Sequence, residues 1–222
     1  MKLPLSFGKP PVASRAALQL EYTRCTNSML TAPLAGCSLS SLLPAIRFFH
    51  HRWSVPTVAR LYRDGPQRVA QLQQAFNAAR DTLAETLRRL EEAGVIQREP
   101  APRSARCSLT PAGVAVGAAC VEAVEAVLAM DLVDLALRKW PMLVLVAVGR
   151  GATRFNQLRA ELPGITPRAL TLALKDLQAA GLVQRTVEHT YPPSTLYDLT
   201  PRGQQLFPVM DRLCRAAEAA AP

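Results

Sequence analysis

The sequence predicts a mainly α-helical fold with two small β-hairpins, in which one structural unit occurs twice in tandem. Three observations predict it. The first is an internal repeat that aligns apolar, capping and turn positions together. Trp53 recurs as Trp140, Arg68-Val69-x-x-Leu72 as Arg154-Phe155-x-x-Leu158, and Leu83, Leu87, Leu90 as Leu170, Leu174, Leu177. Ala93-Gly94-Val95-Ile96-Gln97-Arg98 recurs as Ala180-Gly181-Leu182-Val183-Gln184-Arg185, and Leu109-Thr110-Pro111-x-Gly113 as Leu199-Thr200-Pro201-x-Gly203. The offset is 86 or 87 through the helices and 90 after the hairpin, so the register shifts only where loops absorb it. The second observation is a helix punctuated at both ends, described below. The third is size: 222 residues, 49% of them hydrophobic, suffice for two small domains with buried cores.

In chain order, residues 1–36 hold Pro4, Pro10, Pro11 and Pro33 and read as an irregular N-terminal tail, with a short candidate helix at Val12–Arg24. Met29 is an alternative start. The first unit spans 37–129. Cys37–Arg52 reads as a helix interrupted or begun near Pro44, and Trp53–Tyr62 as a second helix. Asp64-Gly65-Pro66 is a turn, Arg68–Ala75 a short helix and Asn77–Ala93 a longer one with Leu83, Leu87 and Leu90 on one side. Val95-Ile96 opens an extended piece, Pro100–Ser108 is a loop, and Thr110-Pro111 caps an alanine-rich helix reaching about Met130. The second unit spans 130–222 and repeats this order. The linker is either one long helix from Gly113 to Arg138 or two helices broken near Ala129–Asp131. Val121, Val124, Leu128, Leu132 and Leu135 there, and Leu206, Val209, Met210 and Leu213 in the last helix, leave apolar surface beyond what one small unit covers. These two helices are expected to pack on each other, joining the units or two chains.

Leu162–Gly181 carries the clearest punctuation. Thr166 is a good N-cap, Pro167 suits the first helical position, and Gly181 suits the left-handed residue past the C-terminus. Leu170, Leu174 and Leu177 form one apolar stripe, while Arg168, Thr171, Leu172 and Lys175 lie opposite at about 100° per residue. A short helix, a Leu-Pro-Gly-Ile turn, a second helix and then a hairpin make a winged helix-turn-helix, whose second helix enters the major groove N-terminus first. The wing is His189–Thr195, between strands Val183–Glu188 and Leu196–Leu199, with Pro192-Pro193 at its tip.

Charge points to an anionic partner without naming it. The chain carries 26 Lys and Arg against 17 Asp and Glu, a net +9, spread evenly as +3 in the tail and +3 in each unit. Five scattered cysteines form no CxxC and no zinc spacing, which fits a reducing cytoplasm and predicts no metal and no cofactor. No membrane span is expected, because Glu122 and Glu125 interrupt the most apolar stretch, Gly113–Met130. No paired carboxylates or nucleophile–base constellation suggests an enzyme.

The second unit resembles the HxlR-type branch of the MarR-like winged-helix regulators. The resemblance is carried by Lys139-Trp140, Arg154-Phe155-Asn156-Gln157-Leu158, Leu162-Pro163-Gly164-Ile165-Thr166-Pro167-Arg168-Ala169-Leu170, Leu174-Lys175-Asp176-Leu177, Tyr191-Pro192-Pro193 and Tyr197-x-Leu199-Thr200-x-x-Gly203. It covers about 131–217; the first unit resembles the same family more weakly over about 37–127. The resemblance implies a bacterial transcription regulator that binds double-stranded operator DNA. Members are usually single-unit dimers, so two fused units imply an intramolecular pseudo-dimer, with a homodimer of whole chains as a further arrangement. Members also often carry a redox-sensing cysteine before the Trp; here Ser40 and Val127 hold that place, with Cys37 and Cys120 displaced nearby.

The candidate DNA-binding residues are Arg154, Asn156 and Gln157 on the short helix, Thr166, Arg168, Thr171 and Lys175 on the long one, and His189 and Thr195 at the wing. In the first unit they are Arg88, Arg103 and Arg106, but Asp81, Ala84, Glu85 and Arg88 stand where the second has Arg168, Thr171, Leu172 and Lys175. That acidic pair either repels phosphate or accepts from cytosine amino groups. Trp140 and Phe155 are expected in the core. The alternative functions are a protein-interaction adaptor, or a small-molecule or redox sensor, on a winged-helix fold with weak or no DNA binding.

Overall fold

The computed structural model describes residues 42–49, 51–100, 105–188 and 194–220. The tail 1–36 with its candidate helix, Cys37, Ser40, Arg103, His189 and Pro192-Pro193 lie outside the described residues. The first unit contains α1 (Leu42–Phe49), α2 (Ser54–Asp64), β1 (Gln67–Arg68), α3 (Val69–Phe76), α4 (Arg80–Glu92), β2 (Ile96–Glu99), β3 (Arg106–Leu109) and α5 (Pro111–Ala129). After a short α6 (Val133–Ala136), the second contains α7 (Pro141–Gly149), α8 (Phe155–Glu161), α9 (Pro167–Ala179), β4 (Val183–Glu188), β5 (Ser194–Leu199) and α10 (Pro201–Ala219). These are two tandem winged helix-turn-helix domains, mainly α with small antiparallel hairpins.

The repeat holds at the level of single atoms. Asn77 and Gly164, in the turns between the paired helices, both have left-handed backbones, with φ of 46° and 85°. Gly94 and Gly181, past the long helices, share a φ of 67°. The Thr110 hydroxyl accepts from Gly113 N–H at 3.2 Å, and the Thr200 hydroxyl from Gly203 N–H at 3.1 Å. Each hydroxyl also donates backwards, to the carbonyls of Gly94 (2.5 Å) and Gly181 (2.6 Å). A Cβ on Gly113 or Gly203 would lie 2.0 Å and 2.1 Å from the carbonyl oxygens of Val95 and Leu182. So a Thr-Pro-x-Gly segment locks each terminal helix onto the root of its hairpin.

One strand was not legible. β1 pairs with β3, Gln67 opposite Cys107 and Arg68 opposite Arg106, which makes the first hairpin three-stranded. The second unit has only an isolated bridge between Arg154 and Leu196 at the same place. Asn77 belongs to the turn, so α4 starts later than its apolar period suggested, at Arg80. Of the two linker arrangements, the broken one is found: α5 stops at Ala129 and Asp131 has φ 53°.

α7 is apolar all round and buried all round; Leu143, Val144, Leu145 and Val146 are fully enclosed. It packs against α1, α8, α9, α10 and β5. α5 and α10 pack on each other as expected, with Arg212 of α10 paired to Glu122 of α5 at 2.9 Å. α10 also lies against α1, so the terminal helix of the second unit is covered by two helices of the first. α5 is long and apolar enough to cross a membrane by length and composition alone. Here Val116, Gly117, Cys120, Ala123 and Val127 bury one of its faces against α2 and α10.

Two aromatic residues are less enclosed than expected. Trp53 is buried and stacks on Phe76, centroids 5.1 Å apart. Its counterpart Trp140 is half-buried, with Lys139 Nζ 4.6 Å over its ring, and Leu162 stands in the sequence where the first unit has Phe76. Phe155 is likewise half-buried.

Candidate nucleic-acid interface

The strongest candidate surface is the outer face of α9. Its inner face is fixed by Leu170, Ala173, Leu174 and Leu177, each 3% exposed or less. Burying a leucine side chain contributes about 2 kcal/mol, so the orientation of the helix is firmly set. The Thr166 hydroxyl caps the first turn by accepting from Ala169 N–H at 3.2 Å. Arg168, Thr171, Leu172 and Lys175 are all exposed, Leu172 to 52%. Among the described residues no carboxylate pairs with Arg168 or Lys175. Thr171 donates its hydroxyl proton to Pro167 O at 2.9 Å, so it presents a lone pair and a methyl group outward.

Two arginines that the sequence reading passed over hold α9 in place. Arg138 pairs with Asp176. Arg202 donates to Ala180 O, at the C-terminus of α9, and to Met130 O, at the end of α5, both at 2.7 Å. Arg202 thus ties the exposed helix to the linker between the units. The acceptors are backbone carbonyls, one of them 72 positions away, and no sequence pattern marks them.

On α8 and at its start, Asn156, Gln157 and Arg154 are exposed. The Gln157 side-chain carbonyl accepts from the backbone N–H of Arg154 (3.0 Å) and Thr153 (3.2 Å), which leaves only its amide protons for a ligand. Gln71 does the same for Arg68 in the first unit. At the wing, Thr195 accepts from Arg185 at 3.3 Å.

The corresponding face of α4 is differently built. Arg88 donates to Glu85 at 2.6 and 2.9 Å and also to Glu92. Arg89 donates to Glu85 at 2.9 Å. These hydrogen bonds, Arg88's first, hold the Glu85 carboxyl down to about 2. Arg98, at the wing root, pairs with Glu91. The Arg88 guanidinium, a candidate for DNA contact, is engaged by two carboxylates of its own helix. The spacing of Glu85, Arg88, Arg89 and Glu92 carried that signal. Arg106 is exposed on β3, across the strand pair from Arg68.

Cys120 is one of the two cysteines displaced from the family's redox position. The residue is fully buried on α5, and burial pushes its thiol well above the ordinary range. Burial also raises Cys107 to about 11 and Cys214 to about 12. The thiolate is the reactive form, so burial disfavours reaction at all three. A cleft of about 760 Å³ lies where α1, α4, α5 and α10 meet, lined by Leu43, Phe48, Val116 and the polar Arg47, Arg89 and Glu92.

The HxlR-like helix-turn-helix family model matches residues 135–222, and the MarR family model residues 55–108. The HTH-type transcriptional regulator YdzF of Bacillus subtilis is 39% identical over 79 residues, covering 35% of this chain and 72% of that protein. The chain belongs to the HxlR-like helix-turn-helix family. An HTH-type transcriptional regulator of Methanothermobacter thermautotrophicus is 40% identical over 76 residues, 34% of this chain. The chain spans only 58% of that relative's length. The solved transcriptional regulator YodB of Bacillus subtilis, in its reduced form, is 28% identical with a TM-score of 0.34, covering 36% of this chain and 78% of that one. The HxlR-like match begins at Leu135 and so takes in α7, α8, α9, the β4–β5 wing and α10, the whole of the candidate surface.

Proposed function

We propose that this chain is a transcription regulator that binds double-stranded operator DNA, with α9 as its reading helix. The observation that carries the proposal is the outer face of α9, where Arg168 and Lys175 stand exposed and outside any ion pair among the described residues. Arg168 and Lys175 reach bases or phosphates from the major groove, Thr171 offers its lone pair and methyl, and Thr166 caps the helix. Arg154, Asn156 and the Gln157 amide position the phosphate backbone from α8, and Thr195 and His189 do so from the wing. Arg103 and Arg106 of the first wing add phosphate contacts. We place the division between the units at Ala129 and Met130. The units form a pseudo-dimer within one chain, supported by the packing of α10 against α1 and α5 and by the Arg212–Glu122 pair.

Mobility shift with the full chain and the DNA upstream of its own gene is the direct test. Binding is expected to weaken steeply with salt. Arg168→Ala plus Lys175→Ala should lower affinity at least about tenfold, since base contacts of this kind are worth about 1–3 kcal/mol each. Unchanged affinity in that double variant would remove α9 as the reading helix. A solution mass near 24 kDa is expected for the intramolecular pseudo-dimer, against twice that for a homodimer. A second function, small-molecule sensing, is favoured by the 760 Å³ cleft, which falls in the size range of ligand pockets. It predicts that some compound raises the melting temperature and shifts DNA affinity, and that neither response survives filling the cleft with Ala93→Trp.

A further inference from the structure

Resting on the DNA-binding proposal above, we infer that each chain has a single reading head, so that one chain recognises one asymmetric DNA element and not a pair of equal half-sites. Two equivalent heads on a pseudo-twofold frame would read an inverted repeat, as symmetric dimers do. The frame is duplicated here, but the head is not. At the N-terminal end of the reading helix, where base contacts concentrate, Arg168 of α9 is matched by Asp81 of α4. Its Thr171 and Leu172 are matched by Ala84 and Glu85, so α4 puts two carboxylates towards the phosphate rails.

Cytosine readout through Glu85 is opposed by the pairs that carboxylate already makes. Glu85 Oε1 already accepts from Arg88 and Arg89, and Oε2 from Arg88. Opening that network to engage DNA would separate three charged partners before any contact is gained. The wing root repeats the pattern, because Arg98 is bound to Glu91, whereas among the described residues its counterpart Arg185 donates to the neutral Thr195 hydroxyl. The N-terminus differs as well: Thr166 caps α9, whereas Ala79 precedes α4 with no side-chain cap. Two features of the first unit thus engage cations of its reading helix and wing root with carboxylates, and a third leaves the start of that helix without a side-chain cap.

The test is bound-DNA sequencing from a random duplex pool with the full chain, together with the mass of the purified complex. The expected result is one recognised element per chain bound, read over a single major-groove face. Two elements per chain would overturn the inference while leaving DNA binding intact; a pool with no enriched sequence would overturn both. A charge series provides a second readout. Removing Arg168 and Lys175 should flatten the dependence of log affinity on log salt by about 1 for each cation that touches phosphate. Arg88→Ala plus Arg89→Ala should leave slope and recognised sequence unchanged, and a change in either would count against the inference. Grafting the α9 face onto α4, by Asp81→Arg, Ala84→Thr, Glu85→Leu and Arg88→Lys, should add a second element per chain, with circular dichroism reporting that the variant is folded.

Discussion

The two units solve one packing problem with opposite choices. In the first, Tyr62 of α2 lies across Gly117 of α5, so close that a Cβ on the glycine would sit 2.1 Å from the ring. In the second, the corresponding positions are exchanged: Gly149 of α7 receives Phe207 of α10, with a Cβ-to-ring distance of 2.2 Å. One ring must fill the space between the two helices at this level, and either helix can supply it. The core is therefore specified by the sum of volumes at a contact and tolerates exchange of the partners. The reading faces obey a different constraint. Nothing in the fold fixes them, and they diverged from a cationic face on α9 to a self-paired one on α4.

The polar ends of the same helix pairs should give the largest contrast. Arg150, past α7, bonds Asp211 at 2.7 Å and Glu218 at 3.1 Å, with its side chain only 12% exposed. Its counterpart Arg63 meets Glu125 at 3.7 Å, and that glutamate is 54% exposed. Removing Arg150 leaves Glu218 without its partner and Asp211 with Arg215 alone, so Arg150→Ala is expected to cost about 2 kcal/mol or more. Arg63→Ala, at a pair whose glutamate is open to water, should cost less than Arg150→Ala. Urea unfolding of the two variants measures the difference, and equal losses would mean that the enclosure of the Arg150 cluster has no energetic weight.

The same division explains what the sequence disclosed. Caps and turn residues act locally, so Thr110, Thr166, Thr200, Gly94 and Gly181 were legible from residue type and spacing alone. The helix break was left between two arrangements because Asp131 adopts its left-handed backbone without being glycine. The face of α9 was legible because its apolar stripe has helical period, whereas Arg202 was not, since it acts across the fold on backbone carbonyls. Trp140 is expected in the core because one face of its helix must be buried; it is half-buried, and the ring that stacks on Trp53 in the first unit, Phe76, is matched in sequence by the smaller Leu162. The pairing of Arg88 was present in its i, i+3 and i, i+4 spacing, but DNA competes for the same charge, and spacing does not rank the two.

The exchanged rings can be tested by converting one unit into the other. Gly149→Tyr places a ring where Phe207 already lies, and overpacking of this kind costs about 1–3 kcal/mol. Phe207→Gly empties the contact and adds a flexible residue within α10, which costs about 1 kcal/mol for the backbone alone. The double variant reproduces the arrangement of Tyr62 and Gly117. It is expected to be more stable than the sum of the single losses by at least about 1 kcal/mol. Strict additivity in denaturant unfolding would mean that the two positions do not share one space.

The smallest expected contrast is in pH dependence. His51, between α1 and α2, has its pKa lowered from the ordinary histidine value, first by burial and then by the positive charges of Arg89, Arg88 and Lys139, against an opposing pull from Glu85. The position 87 residues on holds Arg138, whose charge is constant across the physiological range. A histidine with a lowered folded-state pKa binds fewer protons folded than unfolded between its two pKa values. Its contribution is intact above the unfolded value, near 6.5, and is lost as pH falls from there through the folded value. Melting temperature should therefore drop between about pH 7.5 and 5.5, and His51→Gln should reduce that drop. Arg138→Gln should leave it unchanged, because no proton binds at Arg138 in that window. An identical pH response in the wild-type and His51→Gln chains would place the sensitivity elsewhere. A larger drop in the variant would reverse the sign assigned to His51.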